Sequence, residues 1–479
     1  MRAILSALAV VAMAGAALAD TIKVPQDHLT IGAAVAAANS GDTIVVSKGT
    51  YREHVTFAGK DNLKFVGKKA VWDGNIAGSD GICLYGTGNG TSVKGFTFRN
   101  GTTHLYLTGD GVSVTKCVFV DHEDNGVYVS GADATVLSCK VMGGGNEGIY
   151  VQGSGAFVCK NVCRQGEEEG IYVDGSGADV QKCTVWYNDD DHGISVYGDG
   201  PSITKNKVTG VNGSGIYVEA ADAFVQKNVI AVATQNGIYV DGSNANLDRN
   251  TVVATGRDGV EVYADGGVLT GNSVEGVLDN GFYVRGDGIT VVGNRVVATG
   301  DGGYGFYISY YSAGGGVVED NDAEGSSGDG FYINSVGITV RGCTARGCGT
   351  NGDNGIYLDG TGNTMEDCSA DNSDDCGIYV SGSSNTATGC SSTNSSKAGF
   401  VVSGTNNSLE DCTSKAAGGE GLVNFGTGTD VADCSFTGSG RYDVSISQNG
   451  NSATFGTFED NDFDTGDVNQ DPEVYYFND

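Results

Sequence analysis

Gly-Ile-Tyr-Val and its close variants return fourteen times, at Gly126, Gly148, Gly170, Gly193, Gly215, Gly237, Gly259, Gly281, Gly305, Gly330, Gly355, Gly377, Gly399 and Gly421. Successive glycines lie 22 residues apart, except for one step of 23, one of 24 and two of 25. A short fixed period with strand chemistry in every unit predicts a solenoid, because one unit cannot bury its apolar face alone and must stack on the next. Short runs of Val, Ile, Tyr and Thr separated by Gly, Asn, Asp and Ser read as two or three strands joined by turns. Neither the Leu spacing of leucine-rich repeats nor a 3.6-residue helical pattern is present. What remains is an all-β coil of parallel strands, one turn per unit, with equivalent residues stacked about 4.8 Å apart.

Stacked columns follow from that period. Nine residues before most repeat glycines stands Asn or Cys: Cys117, Cys139, Asn161, Asn206, Asn228, Asn250, Asn272, Asn321, Cys368, Cys390 and Cys412. Cys183, Asn294 and Cys343 take the place where the spacing slips. An inward Asn can satisfy its amide from the backbone and from the Asn above and below, and Cys buries readily, so the column predicts a structural ladder. The 13 cysteines are an odd number with no Cys-x-x-Cys zinc pattern, which predicts mostly free thiols. Cys159 with Cys163, and Cys343 with Cys348, are the pairs outside strict stacking where a disulfide is expected.

Met1-Arg2, an apolar run from Ile4 to Ala17, and Ala17-Leu18-Ala19 before Asp20 predict a secretory signal over residues 1–19. Nothing else approaches the roughly 20 apolar residues of a membrane span, so the expectation is a soluble, secreted or periplasmic monomer. Without Arg2 the chain carries 26 Lys plus Arg against 59 Asp plus Glu, a net charge of −33. Such a surface repels nucleic acid, anionic membranes and, unless a cation intervenes, polyanionic sugars. Residues 20–78 depart from the repeat and are expected to hold the N-terminal cap and the first coils. Their Ala-rich stretch Thr30–Ala38 predicts a capping helix over the open edge of the first coil. Residues 79–454 are expected to form 17 coils, a rod of roughly 80 Å, and the acidic, aromatic segment 455–479 a second cap.

Gly41-Asp42-Thr43-Ile44-Val45-Val46, Lys48–Val55 and Asn62–Gly67 look like the opening coil of single-stranded right-handed parallel β-helix proteins, and the Gly-Ile-Tyr-Val units with their Asn or Cys column resemble the parallel β-helix repeat family, NosD-like periplasmic proteins included. The likeness covers nearly all of the mature chain. It implies a right-handed coil and membership of the pectate-lyase-like superfamily, which also holds polygalacturonases, pectin esterases and alginate epimerases. Fold alone licenses none of their chemistries. Gly49-Thr50-Tyr51-Arg52-Glu53 is similar to a pectin esterase opening, but that family's later catalytic segments are missing. None of Pro25, Pro201 and Pro472 adjoins an Arg as in pectate lyases. Tyr304-Gly305-Phe306 continues as Tyr307-Ile308-Ser309, without the acid and base of the epimerases. Asp189-Asp190-Asp191-His192-Gly193 only echoes the polygalacturonase set.

Strand alternation turns the Tyr of each Gly-Ile-Tyr-Val outward and creates an external tyrosine column. Tyr128, Tyr150, Tyr172, Tyr197, Tyr217 and Tyr239 in it are either a structural stack or a platform for the apolar faces of sugars. The column is interrupted at Ser195 and Glu261, and at each a Tyr follows two residues later, Tyr197 and Tyr263. Acids gather beside the first interruption, with Glu147, Glu169 and His192 in one column. A solvated acidic face, a Ca²⁺ site drawing on Glu147, Glu168 and Asp189, and a glycoside-cleaving site of His192, Asp190, Asp191 and Glu169 all fit this pattern. A smaller cluster comprises Glu261, Asp241, Asp258, Arg257 and Arg285, with Arg285 expected to pair with an acid. His104, His122 and His192 are all placed on the acidic flank.

Three functions stand open. The first is a secreted protein that binds extracellular polysaccharide or cell-surface glycan and cleaves it as a hydrolase or lyase, with calcium as the one cofactor suggested. The second is a noncatalytic adhesive or matrix solenoid, and the third a NosD-like periplasmic maturation factor.

Overall fold

Every turn of the chain adds one strand to each of three parallel sheets, which contain 20, 19 and 19 strands. The computed structural model describes residues 19–75, 81–447, 453–463 and 475–477. The leader expected at 1–19 lies, apart from Ala19, outside the described residues, as does most of the C-terminal segment. The rod is a right-handed solenoid of about 19 turns, two more than the repeats suggest. The additional turns lie in the N-terminal region, where the first coils are expected: Thr21–Val24 pairs with Thr43–Val46, which pairs in turn with Lys64–Gly67. At about 4.8 Å per turn the rod is about 90 Å long.

The coil that begins at Gly215 shows how the sequence makes a turn. Ile216–Glu219, Phe224–Gln226 and Val229–Ala233 are its three strands, and Ile216, Val218, Val225 and Ile230 point inward and are fully buried. Lys227, with φ 54°, bends the chain between the second and third strands, and Asn228 follows it into the interior. The Asn228 side-chain oxygen accepts from the backbone N–H of Asn206 at 2.9 Å, and its amide donates to the Ile203 carbonyl at 2.8 Å and to the Asn250 side-chain oxygen at 3.0 Å. The same links join Asn206, Asn228, Asn250, Asn272, Asn294 and Asn321 in one unbroken chain. A second ladder, Asn363, Asn385 and Asn407, lines a different turn further along.

The repeat glycines are required by close approach. A Cβ on Gly237 would lie 2.2 Å from Val252 Cγ1 and 2.5 Å from the Gly259 carbonyl oxygen of the next coil. All thirteen cysteines are free and buried, so neither expected disulfide forms. Cys343, like Cys117 and Cys139, occupies the ladder column, where its thiol donates to backbone carbonyls.

The helix Ile31–Ala37 covers the first coil, with Thr30 as its N-cap. Glu53 accepts from the N–H groups of Ile31 and Gly32 at 2.9 and 2.8 Å, while the Lys60 ammonium donates to the carbonyls of Val35 and Ala38. The segment that looks like a pectin esterase opening therefore serves the cap. His104 and His122 are buried rather than displayed on the acidic flank: His104 lies beside Phe98 and Phe119, and His122 meets the His104 ring edge-on. His122 fits there because Gly144, its partner in the next coil, has no side chain. Burial pushes the two imidazoles down to about 3 and about 4, so both are neutral.

Candidate functional site

The outward tyrosines form one continuous stack of fourteen rings from Tyr85 to Tyr379, with neighbouring centroids 4.3 to 6.0 Å apart. Register explains it: Tyr217 pairs with Tyr239 in the sheet, and adjacent parallel strands repeat at nearly the thickness of a tilted ring. From Tyr85 to Tyr172 successive planes differ by only 12 to 21°. In such a run each ring turns its faces to its neighbours and its edge and hydroxyl to solvent. Tyr128, Tyr150 and Tyr172 consequently offer hydrogen-bonding tips outward rather than open faces, and Tyr217 is covered by Tyr239 at 7°.

Parallel stacking is lost where the column is interrupted. Tyr197 swings into the gap left at Ser195 but lies 35° from Tyr172 and 50° from Tyr217. Tyr263 does the same at Glu261, tilted 56° from Tyr239 and 53° from Tyr283. The last pair, Tyr357 and Tyr379, also splays, by 58°.

At the first interruption, replacing a ring by the small Ser195 makes room for Glu169. Ser195 is fully buried and donates to Glu169 Oε1 at 3.2 Å. Burial, reinforced by Asp191, pushes the Glu169 carboxyl up to about 7. His192 stacks on Tyr217 with centroids 4.4 Å apart, and its Nδ1 accepts the Ser214 N–H at 2.8 Å. The neutral ring therefore carries its proton on Nε2, 3.4 Å from Asp191 Oδ1. Burial holds the His192 pKa below its ordinary value, although Asp191 pulls the other way.

Glu147, Glu168 and Glu169 bring one carboxylate oxygen each to within 4.8 Å of one another. Burial pushes all three carboxyls up, helped by mutual repulsion and by Asp191 and Asp124. Such a triad can share a proton, or supply three of the six to eight oxygens that Ca²⁺ takes. Asp189 and Asp190 are exposed and stand outside it; the Asp189 carbonyl instead accepts from the Asn212 amide.

The second interruption is shaped differently. Glu261 accepts from the Asn236 amide and, at 2.8 Å, from the Tyr263 hydroxyl, beside an open cleft of about 430 Å³. Among the described residues Arg285 pairs with no acid: its guanidinium lies 4.7 Å over the ring of Tyr311, which lines the cleft. Sequence reasoning gave Tyr311 no role, although the step of 25 residues from Gly305 to Gly330 marks the lengthened loop that delivers it.

The description "right-handed beta helix region" matches this chain over residues 68–201, 192–345, 280–436 and 354–470. The chain belongs to the right-handed β-helix family. No curated protein matches it in sequence. This β-helix is similar in fold to the catalytic unit of a GH87 α-1,3-glucanase from Streptomyces thermodiastaticus, at 13% identity and TM-score 0.27, over 85% of this chain and 64% of that one. It is also similar to a PL6 alginate lyase in complex with a trisaccharide, at 12% identity and TM-score 0.37, over 72% and 85% of the two chains. A third likeness is to PfbA, a surface adhesin of Streptococcus pneumoniae, at 11% identity and TM-score 0.26, over 82% and 87%. At these identities the likeness is one of fold. Among the described residues no helix is long and apolar enough to cross a membrane.

Three buried carboxyls give the β-helix a pH dependence. Burial is the first cause that pushes Glu169, Asp258 and Asp329 up to about 7, from ordinary values of 4.5, 3.8 and 3.8. A carboxyl whose folded pKa lies above its unfolded one binds its proton more tightly when folded. The folded state then loses stability as the pH rises from about 4 through 7. Unfolding in urea is expected to show stability at pH 8 lower than at pH 5 by a few kcal/mol, on the order of one pKa unit's 1.4 kcal/mol per group or more. Asp258→Asn, which keeps an oxygen for the N–H groups of Asn280, should flatten part of the slope. A stability that rises between pH 5 and pH 8 contradicts this.

Proposed function

We propose that this chain is a secreted or periplasmic glycan-binding β-helix that engages a polysaccharide at the interruptions of its tyrosine stack. The observation that carries the reading is the coincidence, at both interruptions, of a tilted tyrosine with carboxylates beside it: Tyr197 with Glu169 and Asp191, and Tyr263 with Glu261. Sugars are bound by an aromatic face under the ring and hydrogen-bonding groups at its rim. The intact runs of the stack contribute a rail of phenolic hydroxyls on either side. The net charge favours uncharged chains over polyuronates, as do Asp174 and Glu219, whose charges add to burial in pushing the Tyr172 hydroxyl up.

Titration calorimetry of the purified chain against laminarin, chitin oligosaccharides, alginate and polygalacturonate tests the reading. A neutral glycan is expected to bind with micromolar to millimolar affinity, and an absence of heat with every glycan would sink it.

A second reading, hydrolysis, rests on Glu169. A carboxyl pushed up to about 7, with carboxylate oxygens of Glu147 and Glu168 within 4.8 Å, would set a proton donor beside a candidate nucleophile, as glycoside cleavage with retention needs. Reducing ends released from a bound glycan, and lost in Glu169→Gln with binding kept, would select it. Their absence leaves the noncatalytic, adhesive solenoid.

A further inference from the structure

The cleft at Glu261 is more than a missing ring. Removing one tyrosine opens a gap in the stack, and a separate piece of chain turns that gap into a bounded site. The strand Phe306–Ser309 is followed by a loop that leans back over the earlier coils. Asp287 gathers this loop by accepting from the backbone N–H groups of Tyr311, Ser312, Ala313 and Gly314, and from the Ser312 hydroxyl, at 2.9 to 3.2 Å. Those bonds hold the Asp287 carboxyl well below the usual carboxylate range. Tyr311 is 45% exposed, yet its loop is anchored and its ring is held by Arg285. It forms one wall of a cleft whose other aromatic sides are Tyr217, Tyr239 and Tyr263.

The polar lining is mixed. Arg257 and Asn236 supply donors; Asp241 and Glu261 supply carboxylate acceptors. Donors and acceptors set side by side match neighbouring hydroxyls of a sugar ring, each of which both gives and takes a hydrogen bond. Among the lining residues two carboxylates stand against the one guanidinium of Arg257, with Arg285 engaged by the Tyr311 ring, which disfavours a uronate. The volume of about 430 Å³ falls within the about 300–1,000 Å³ of small-molecule sites.

We propose that this cleft is a subsite for one uncharged pyranose unit of a polysaccharide, with a ring face of the sugar on the open tyrosines and its hydroxyls on Asp241, Glu261 and Arg257. The assignment rests on the glycan-binding reading above and gives it a place and a charge preference. The open end of the cleft lets the unit belong to a longer chain that continues along the rail of hydroxyls.

The test is calorimetry of the full chain with laminarihexaose, cellohexaose, N-acetylchitohexaose and hexagalacturonate, repeated with Tyr311→Ala and Asp241→Asn. Both residues are exposed, and circular dichroism checks that each variant stays folded. One neutral hexaose is expected to bind, hexagalacturonate to bind at least tenfold more weakly, and each variant to lose at least tenfold for the neutral ligand. Neutral binding that both variants leave unchanged overturns the subsite while the broader reading stands. Preferential binding of hexagalacturonate overturns the charge preference. Binding of nothing by the unaltered chain overturns the subsite and the broader reading together.

Discussion

Replacing Asn250 with Leu is expected to destabilise the fold by about 4 kcal/mol, because buried backbone groups left unpaired cost about 1–3 kcal/mol each. Leu removes the acceptor of the Asn228 backbone N–H and the donor to the Val225 carbonyl, and both groups lie inside the coil. It also takes the Oδ1 acceptor from the Asn228 amide. Asn250→Cys should cost about half as much, since a thiol can restore part of this pairing. The chain already shows how: the Cys412 N–H donates to Cys434 Sγ at 3.4 Å. Guanidinium unfolding followed by far-ultraviolet circular dichroism measures both. Equal losses for Leu and Cys would show that the ladder acts by filling space and not by hydrogen bonding.

Gly237→Ala is expected to cost about 3 kcal/mol, the upper end of overpacking. The added Cβ cannot be absorbed by a rotamer change, because one of the atoms it meets is the Gly259 backbone carbonyl at 2.5 Å. The coils must separate locally, and their sheet hydrogen bonds stretch with them. Gly32→Ala is the matched control. It lies in the capping helix, its Cβ would meet nothing nearer than 3.5 Å, and it should be neutral or stabilising by up to about 1 kcal/mol. Equal melting temperatures for the two variants would remove close approach as the reason for the repeat glycine.

The period of 22 residues made the columns legible before any coordinates, since parallel coils stack equivalent positions by necessity. It placed Asn206 to Asn321 in the core and the tyrosines outside, and it singled out Ser195 and Glu261 as breaks. It could not show how a ring is rotated. Alternation says that Tyr150 points outward, but only packing at 4.7 to 4.9 Å shows that its faces are spent on Tyr128 and Tyr172. His104 and His122 were misplaced for a related reason. A polar residue in an inward column reads as a surface residue until the glycine beneath it, Gly144 under His122, is known to leave space. Tyr311 escaped notice because its loop is an insertion, and an insertion has no equivalent position in neighbouring coils from which to read its direction. The ladder of Asn363, Asn385 and Asn407 was missed because it sits in a different turn from the one that the Asn and Cys spacing marks.

The central claim is that glycan contacts concentrate where the tyrosine stack is broken. A crystal structure of the chain soaked with whichever neutral hexasaccharide binds in calorimetry tests it most directly. The account predicts sugar density against Tyr263 and Tyr311 in the Glu261 cleft, with further units near Tyr197. Density lying only along the closely stacked run from Tyr85 to Tyr172, with both interruptions empty, would contradict it.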